Sequence, residues 1–188
     1  ITAKQANLAV GKAIHLQTNE NLTFEDALYG LLLESGNDVA FALAENYPGG
    51  YAEMIKAMNQ KARELGMDNT NFTDVSGIDN YRHETTVHDM SILSATAIKI
   101  PLFAQIISTR EKEIKALNDD TIHQLKNTNE LLDNVPGVFG IKTGWTSLAG
   151  DCLITAIERD GRTIIITLFG SSDRFGETKK LIDWIFAN

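Results

Sequence analysis

The sequence predicts an α/β fold of the α+β kind, an antiparallel sheet with helices on its faces, and three observations carry the prediction. Apolar residues recur at helical spacing through a region from about residue 23 to 110. Three short runs rich in β-branched residues follow within about 135–188, "GVFGIKTG", "DCLITAIE" and "TIIITLFG", the last two separated by Arg159-Asp160-Gly161-Arg162. Asp-Gly between two such runs is a hairpin signal. Finally, "ETKKLIDWIF" places Leu181, Ile182, Ile185 and Phe186 on one side of a closing helix that can cover the sheet.

Each element has its own signal. Thr23 is an N-cap with Glu25 and Asp26 in the first turn behind it, so a helix is expected over Phe24–Glu34. After Ser35-Gly36-Asn37 the apolar spacing resumes in "DVAFALAENY" and stops at Pro48-Gly49-Gly50, giving two helices that meet at a polar corner. "YAEMIKAMNQKARELG" sets Met54, Met58, Ala62 and Leu65 on one face and ends at Gly66. The next stretch, "MDNTNFTDVSGIDNYRHE", is too long and too polar for an idle connection and is expected to be a structured loop. Thr86 and Asp89 then open a helix in capping-box style, with Met90, Leu93 and Ala97 facing inward before Pro101. A short helix over Leu102–Ser108, a strand around "KEIKAL" and a polar loop complete the middle of the chain.

Composition excludes several function classes. The 188 residues carry a formal charge of −8 with no basic cluster, which argues against a nucleic-acid partner. No apolar run approaches the roughly 18 residues of a membrane span. The single cysteine, Cys152, rules out an internal disulfide framework and leaves the compartment open. His83 and His88 lie five apart, whereas ligands on one helical face prefer spacings of three or four, so no metal site is expected and no cofactor is implied.

Two stretches point to chemistry. Ser, Gly and Asn are poor helix formers, so Ser35-Gly36-Asn37 must interrupt its helix for a reason. Far downstream, Lys142-Thr143-Gly144 offers an ammonium, a hydroxyl and a residue without Cβ along one strand, the means to seat a carboxylate and let a peptide backbone come close. Together the two resemble the later signatures of the penicillin-interacting serine enzymes. With "SGIDNYRHETTVHDMSIL", in which Gly77-Ile78-Asp79, His83, Thr85, Thr86, Asp89 and Met90 fall in step, the chain is similar to the serine-type D-alanyl-D-alanine carboxypeptidases of the low-molecular-mass penicillin-binding protein family. The same segment does not resemble the deacylating glutamate loop of a β-lactamase.

The resemblance implies a β-lactamase/transpeptidase-like fold and a set of roles. Ser35 would relay a proton to the leaving D-alanine nitrogen, Asn37 would bind the substrate amide, and Lys142 would raise the local positive potential. Thr143 and Arg174 would hold the terminal carboxylate, Gly144 would make room for the substrate, and the backbone N–H of Trp145 would serve as an oxyanion donor. The implied partners are peptidoglycan stem peptides and β-lactams, and the implied location is outside the cytoplasmic membrane.

The family's first signature, Ser-x-x-Lys, is absent: no lysine here has serine three positions before it. "ITAKQANLAV" corresponds by resemblance to a strand following the helix that carries it. Neither an initiator methionine nor a signal segment opens the sequence, so a fragment of an active enzyme, with its N-terminal part missing and no activity alone, is expected. The alternative is a non-catalytic homologue that binds wall peptides. Loss of a central helix would also expose apolar surface and favour self-association.

Overall fold

The computed structural model describes residues 1–5 and 10–187. Its helices are α1 (Phe24–Leu33), α2 (Asn37–Asn46), α3 (Tyr51–Glu64), α4 (Val87–Ala97), α5 (Pro101–Ser108), α6 (Leu131–Asn134) and α7 (Arg174–Ala187). Its strands are β1 (Glu111–Lys115), β2 (Ile122–Lys126), β3 (Val138–Thr146), β4 (Gly150–Arg159) and β5 (Arg162–Ser171). Of the opening stretch expected as a strand, residues 6–9 lie outside the described residues, and Thr2 makes an isolated antiparallel bridge with Asn21.

The antiparallel sheet has the order β3-β4-β5, and strand alternation divides its central strand between two cores. Leu153 and Ile157 of β4 and Ile166 of β5 pack with Ile182, Phe175, Ile185 and Phe186 of α7. The intervening Ile154 and Ala156 pack with Ile141 of β3 and with Ile107, Phe103, Met90 and Ile98 from the α4–α5 side. Helices therefore cover both faces, as the sequence predicts. The β4–β5 turn is tight because Asp160 and Gly161 both take positive φ, 54° and 71°, the pair of angles a two-residue hairpin with the right twist requires.

A third core joins the helices. Leu22, Ala27, Tyr29, Leu33, Val39 and Ala42 pack with Ile14, Leu16, Ile106, Ile114 and Leu125, so α1, α2, α5 and the β1–β2 pair share one interior. Thr23 caps α1 through the Asp26 N–H, and Thr86 caps α4 through the Asp89 N–H.

Several expectations need correction. The polar stretch after β1 holds two elements, β2 and α6, instead of a loop. In β2 the buried side chains are His123 and Leu125 while Ile122 is half exposed, so the usual apolar alternation is broken by a histidine facing inward. That inversion is satisfied by a buried pair, His123 Nε2 to Glu20 Oε1 at 2.6 Å. Helix α7 begins at Arg174, and Leu181 lies 37% exposed on its outer side; Phe175 takes its place against the sheet. The capping box of α4 is half formed, because the Asp89 carboxylate turns to the Asn69 N–H and the Thr70 hydroxyl.

Candidate active site

The Ser35-Gly36-Asn37 break is built from three different needs. Ser35 takes φ 62°, a left-handed conformation that is uncommon for a residue with a side chain and frequent at functional corners. Gly36 donates its N–H to the Gly30 carbonyl at 3.2 Å, and a Cβ there would press within 3.0–3.2 Å of Val39, Asp38 and that carbonyl. Asn37 starts α2 and fastens the chain before α1: its N–H donates to the Lys12 carbonyl at 2.8 Å and its side-chain amide to the Val10 carbonyl at 2.6 Å. Asp38, fully buried, accepts from the Ile14 and Leu16 N–H groups at 3.2 and 2.9 Å.

Lys142 stands half-buried on β3 and donates to the Thr143 carbonyl at 2.9 Å. Burial, reinforced by the Lys12 and Arg174 cations and partly opposed by Glu34, brings its pKa down from 10.5 to about 8. Lys12 bonds through its carbonyl to Asn37, and Glu34 directly precedes Ser35, so the charges that act on Lys142 belong to the helix corner and to α7.

A second link runs through Thr128. Its N–H donates to the Leu33 carbonyl at the end of α1 at 3.2 Å, and its hydroxyl meets the Thr143 hydroxyl at 2.6 Å. Thr143 is thus buried and already paired, while Glu34 adds a bond from the Lys126 N–H at 2.7 Å. The corner and the strand, distant in sequence, are joined through the 126–128 segment.

Of the other predicted residues, Gly144 and Trp145 lie on the same strand and Arg174 reaches it from α7. A Cβ on Gly144 would touch only the Cys152 Cβ at 3.7 Å, an ordinary contact, so internal packing does not demand glycine there. Trp145 is 68% exposed at the end of β3. Arg174, the first residue of α7, donates to the Gly144 carbonyl at 2.9 Å and to Asp151 Oδ1 at 2.8 Å, with its guanidinium over the Phe175 ring. Strand β3 is an edge of the sheet, so its backbone is open to a further strand.

The loop before α4 is as structured as expected. Asp74 accepts from the Tyr51 hydroxyl at 2.7 Å and from the Ser76 and Gly77 N–H groups at 2.6 and 2.9 Å. His83 Nδ1 accepts from the Thr73 N–H at 3.2 Å, and burial lowers its pKa, partly opposed by Asp74. A polar groove of about 590 Å³ opens beside the 126–133 segment, but its Arg110 and Asp133 pair with one another and it contains none of the predicted site residues.

Sequence reasoning missed Thr128, Lys12, Glu34 and Asp38. Asp38 had a readable signal, an acid in the first turn of a helix. Nothing local marks the other three, whose importance comes from which distant residues they meet.

With this geometry in view, comparison with known proteins is specific. A family model described as D-alanyl-D-alanine carboxypeptidase matches residues 2–173, which include both motifs and stop one residue short of Arg174. The D-alanyl-D-alanine carboxypeptidase DacF of Bacillus subtilis is 33% identical over 99% of this chain and 48% of its own length. The D-alanyl-D-alanine endopeptidase of Escherichia coli is 33% identical over 90% of this chain and 56% of its own. The chain spans about half the length of these curated relatives. Among solved structures, the Streptomyces K15 DD-transpeptidase matches with a TM-score of 0.90 and 32% identity, over 95% of this chain and 73% of that one. A penicillin-binding protein homologue from Mycobacterium tuberculosis gives 0.90 and 31%, over 100% of this chain and 73% of that one. In fold and in sequence, the chain belongs to the D-alanyl-D-alanine carboxypeptidase family of cell-wall peptidases.

Proposed function

We propose that these residues are part of the catalytic domain of a serine D-alanyl-D-alanine carboxypeptidase that works outside the cytoplasmic membrane, trims the terminal D-alanine of peptidoglycan stem peptides and is acylated by penicillins. The single observation behind this reading is the half-buried Lys142 ammonium, flanked by Lys12 and Arg174, on an edge strand tied through Thr128 to the Ser35 corner.

The chemistry follows from that arrangement. The peptide lies along the open edge of β3, its terminal carboxylate drawn to Lys142, Thr143 and Arg174. Gly144 lets the backbones approach, and the Trp145 N–H stabilises negative charge growing on the scissile carbonyl oxygen. A serine hydroxyl attacks that carbonyl carbon, the C–N bond breaks, and Ser35 passes a proton to the departing D-alanine amine while Asn37 holds the substrate amide. Water then cleaves the ester and frees the serine.

That attacking serine belongs to a Ser-x-x-Lys pair, which these 188 residues do not contain. A chain of these residues alone is therefore inactive in this reading. It also associates with itself, since β5 pairs only with β4 among the described residues and its other edge is unpaired. The alternative reading is a homologue that binds wall peptides without cleaving them.

Titration with a labelled penicillin separates the readings. The full-length product of the gene is expected to form a stable adduct, and Ser35→Ala or Lys142→Ala is expected to slow its formation about a hundredfold or more. Absence of any adduct, with wall-peptide binding retained, overturns the carboxypeptidase reading and leaves the binding one.

A further inference from the structure

Three carboxylates hold the loop between α3 and α4, and they do different things. Asp74 satisfies N–H and hydroxyl groups of the loop and of Tyr51, and Asp89 satisfies Asn69 and Thr70. Asp79 instead reaches across to the far end of β3. Its Oδ2 accepts from the Ser147 hydroxyl at 2.9 Å and from the Leu148 N–H at 3.2 Å. The Thr146 side chain is the main reason its carboxyl is held below the usual range. From inside the turn, Thr146 Oγ1 accepts from the Ala149 N–H at 3.0 Å.

These contacts seize the backbone directly after Trp145. The β3–β4 ladder runs on to Thr146–Gly150 and Arg174 holds the Gly144 carbonyl, but past the ladder the turn has little other support: Trp145 is 68% exposed, Leu148 is 77% exposed, and among the described residues β3 pairs on one side only. An exposed carboxylate that accepts from exposed donors adds little to overall stability. Its effect lies in the angle and height of the strand end it grips.

The geometry points to Asp79 as a positioning residue, a clamp from the α3–α4 loop that sets the Gly144–Trp145 backbone where the substrate carbonyl must be received. The inference rests on the proposed function, in which that edge takes the peptide. Carboxylate binding at Lys142 and Arg174 does not pass through Asp79, so the clamp acts on turnover more than on affinity.

The test uses the full-length product with Asp79→Ala, Asp79→Asn and Ser147→Ala. Expected for Asp79→Ala is a fall of about tenfold or more in kcat for a D-alanyl-D-alanine peptide and in the limiting rate of acylation by labelled penicillin. KM is expected to stay within about twofold, and the melting temperature within about 3 °C. Asp79→Asn, which keeps an acceptor for the Leu148 N–H, falls between wild type and Asp79→Ala. Ser147→Ala adds little once Asp79 is gone. Amide exchange at residues 145–148 is expected to quicken in Asp79→Ala, a readout independent of activity. Unchanged kcat and unchanged exchange in an active protein overturn the clamp, as does a loss of kcat seen only together with loss of the fold. A wild-type protein that neither cleaves the peptide nor reacts with penicillin defeats the functional reading itself, and the clamp with it.

Discussion

Lys142 carries its charge against its surroundings, and that has a measurable pH signature. Its pKa in the fold is about 8 against 10.5 for the free side chain, with burial as the leading cause. Below pH 8 both folded and unfolded chains hold the proton, and the fold bears the full cost of the buried ammonium. Between about 8 and 10.5 the native state has released the proton while the unfolded chain retains it, so stability contributed through this group rises with pH across that window. Lys142→Met is expected to flatten the rise and to stabilise the fold at pH 7 by at most about 3 kcal/mol. Denaturant melts at pH 7 and pH 10, wild type against variant, check both sign and size. A lysine kept where it weakens its own fold is a mark of a site. Ser35 was legible in the sequence because it breaks a helical run, and Lys142 only in combination with it, through the resemblance that the two motifs carry together. Thr128 was not, since a threonine in a polar run breaks no pattern, and its two partners, Leu33 and Thr143, come from opposite sides of it in the chain.

Among the elements, α2 depends on one side chain more than its length suggests. Asp38 holds the Ile14 and Leu16 N–H groups, which have no strand partner of their own, and so binds the 14–16 segment to the start of the helix. Asp38→Ala is expected to destabilise the protein by about 2–4 kcal/mol, because both donors stay buried and unmade. Asp38→Asn should lose less, keeping one acceptor; equal losses in a urea melt would count against this account. The sequence patterns captured α1 to α4 by their period, caps and breakers and β3 to β5 by their β-branched runs and the Asp-Gly turn, while α5, which has no side-chain cap, and β1 rested on shorter runs. The pattern failed at β2, where a histidine occupies an inward position only because Glu20, from another part of the chain, is there to receive it. It failed at α6 for a plainer reason, since a single turn of helix has no period to read. Leu181 was misassigned because spacing alone cannot say how wide the apolar stripe of α7 must be; Phe175, nearer the start of the helix, already packs against the sheet.

At the level of the whole molecule, the sheet-and-helix architecture was legible because its two cores follow from alternation along β4, Leu153 and Ile157 to one side, Ile154 and Ala156 to the other. What no pattern in the chain conveys is that, among the described residues, the sheet ends in two unpaired edges. The unpaired side of β5, with Phe169 37% exposed beside it, is expected to draw copies of this 188-residue chain together. Sedimentation at micromolar concentration should show dimers or larger species; a clean monomer would refute it. The opposite margin, β3, poses another difficulty. Natural sheets shield such rims with a proline, a bulge or a row of lysines turned toward solvent. In β3 the one irregularity sits at the Val138–Gly140 end, and in the proposed function a shield along Lys142–Trp145 would shut out the guest, so that stretch of border stays uncovered and crowding in solution becomes its standing hazard.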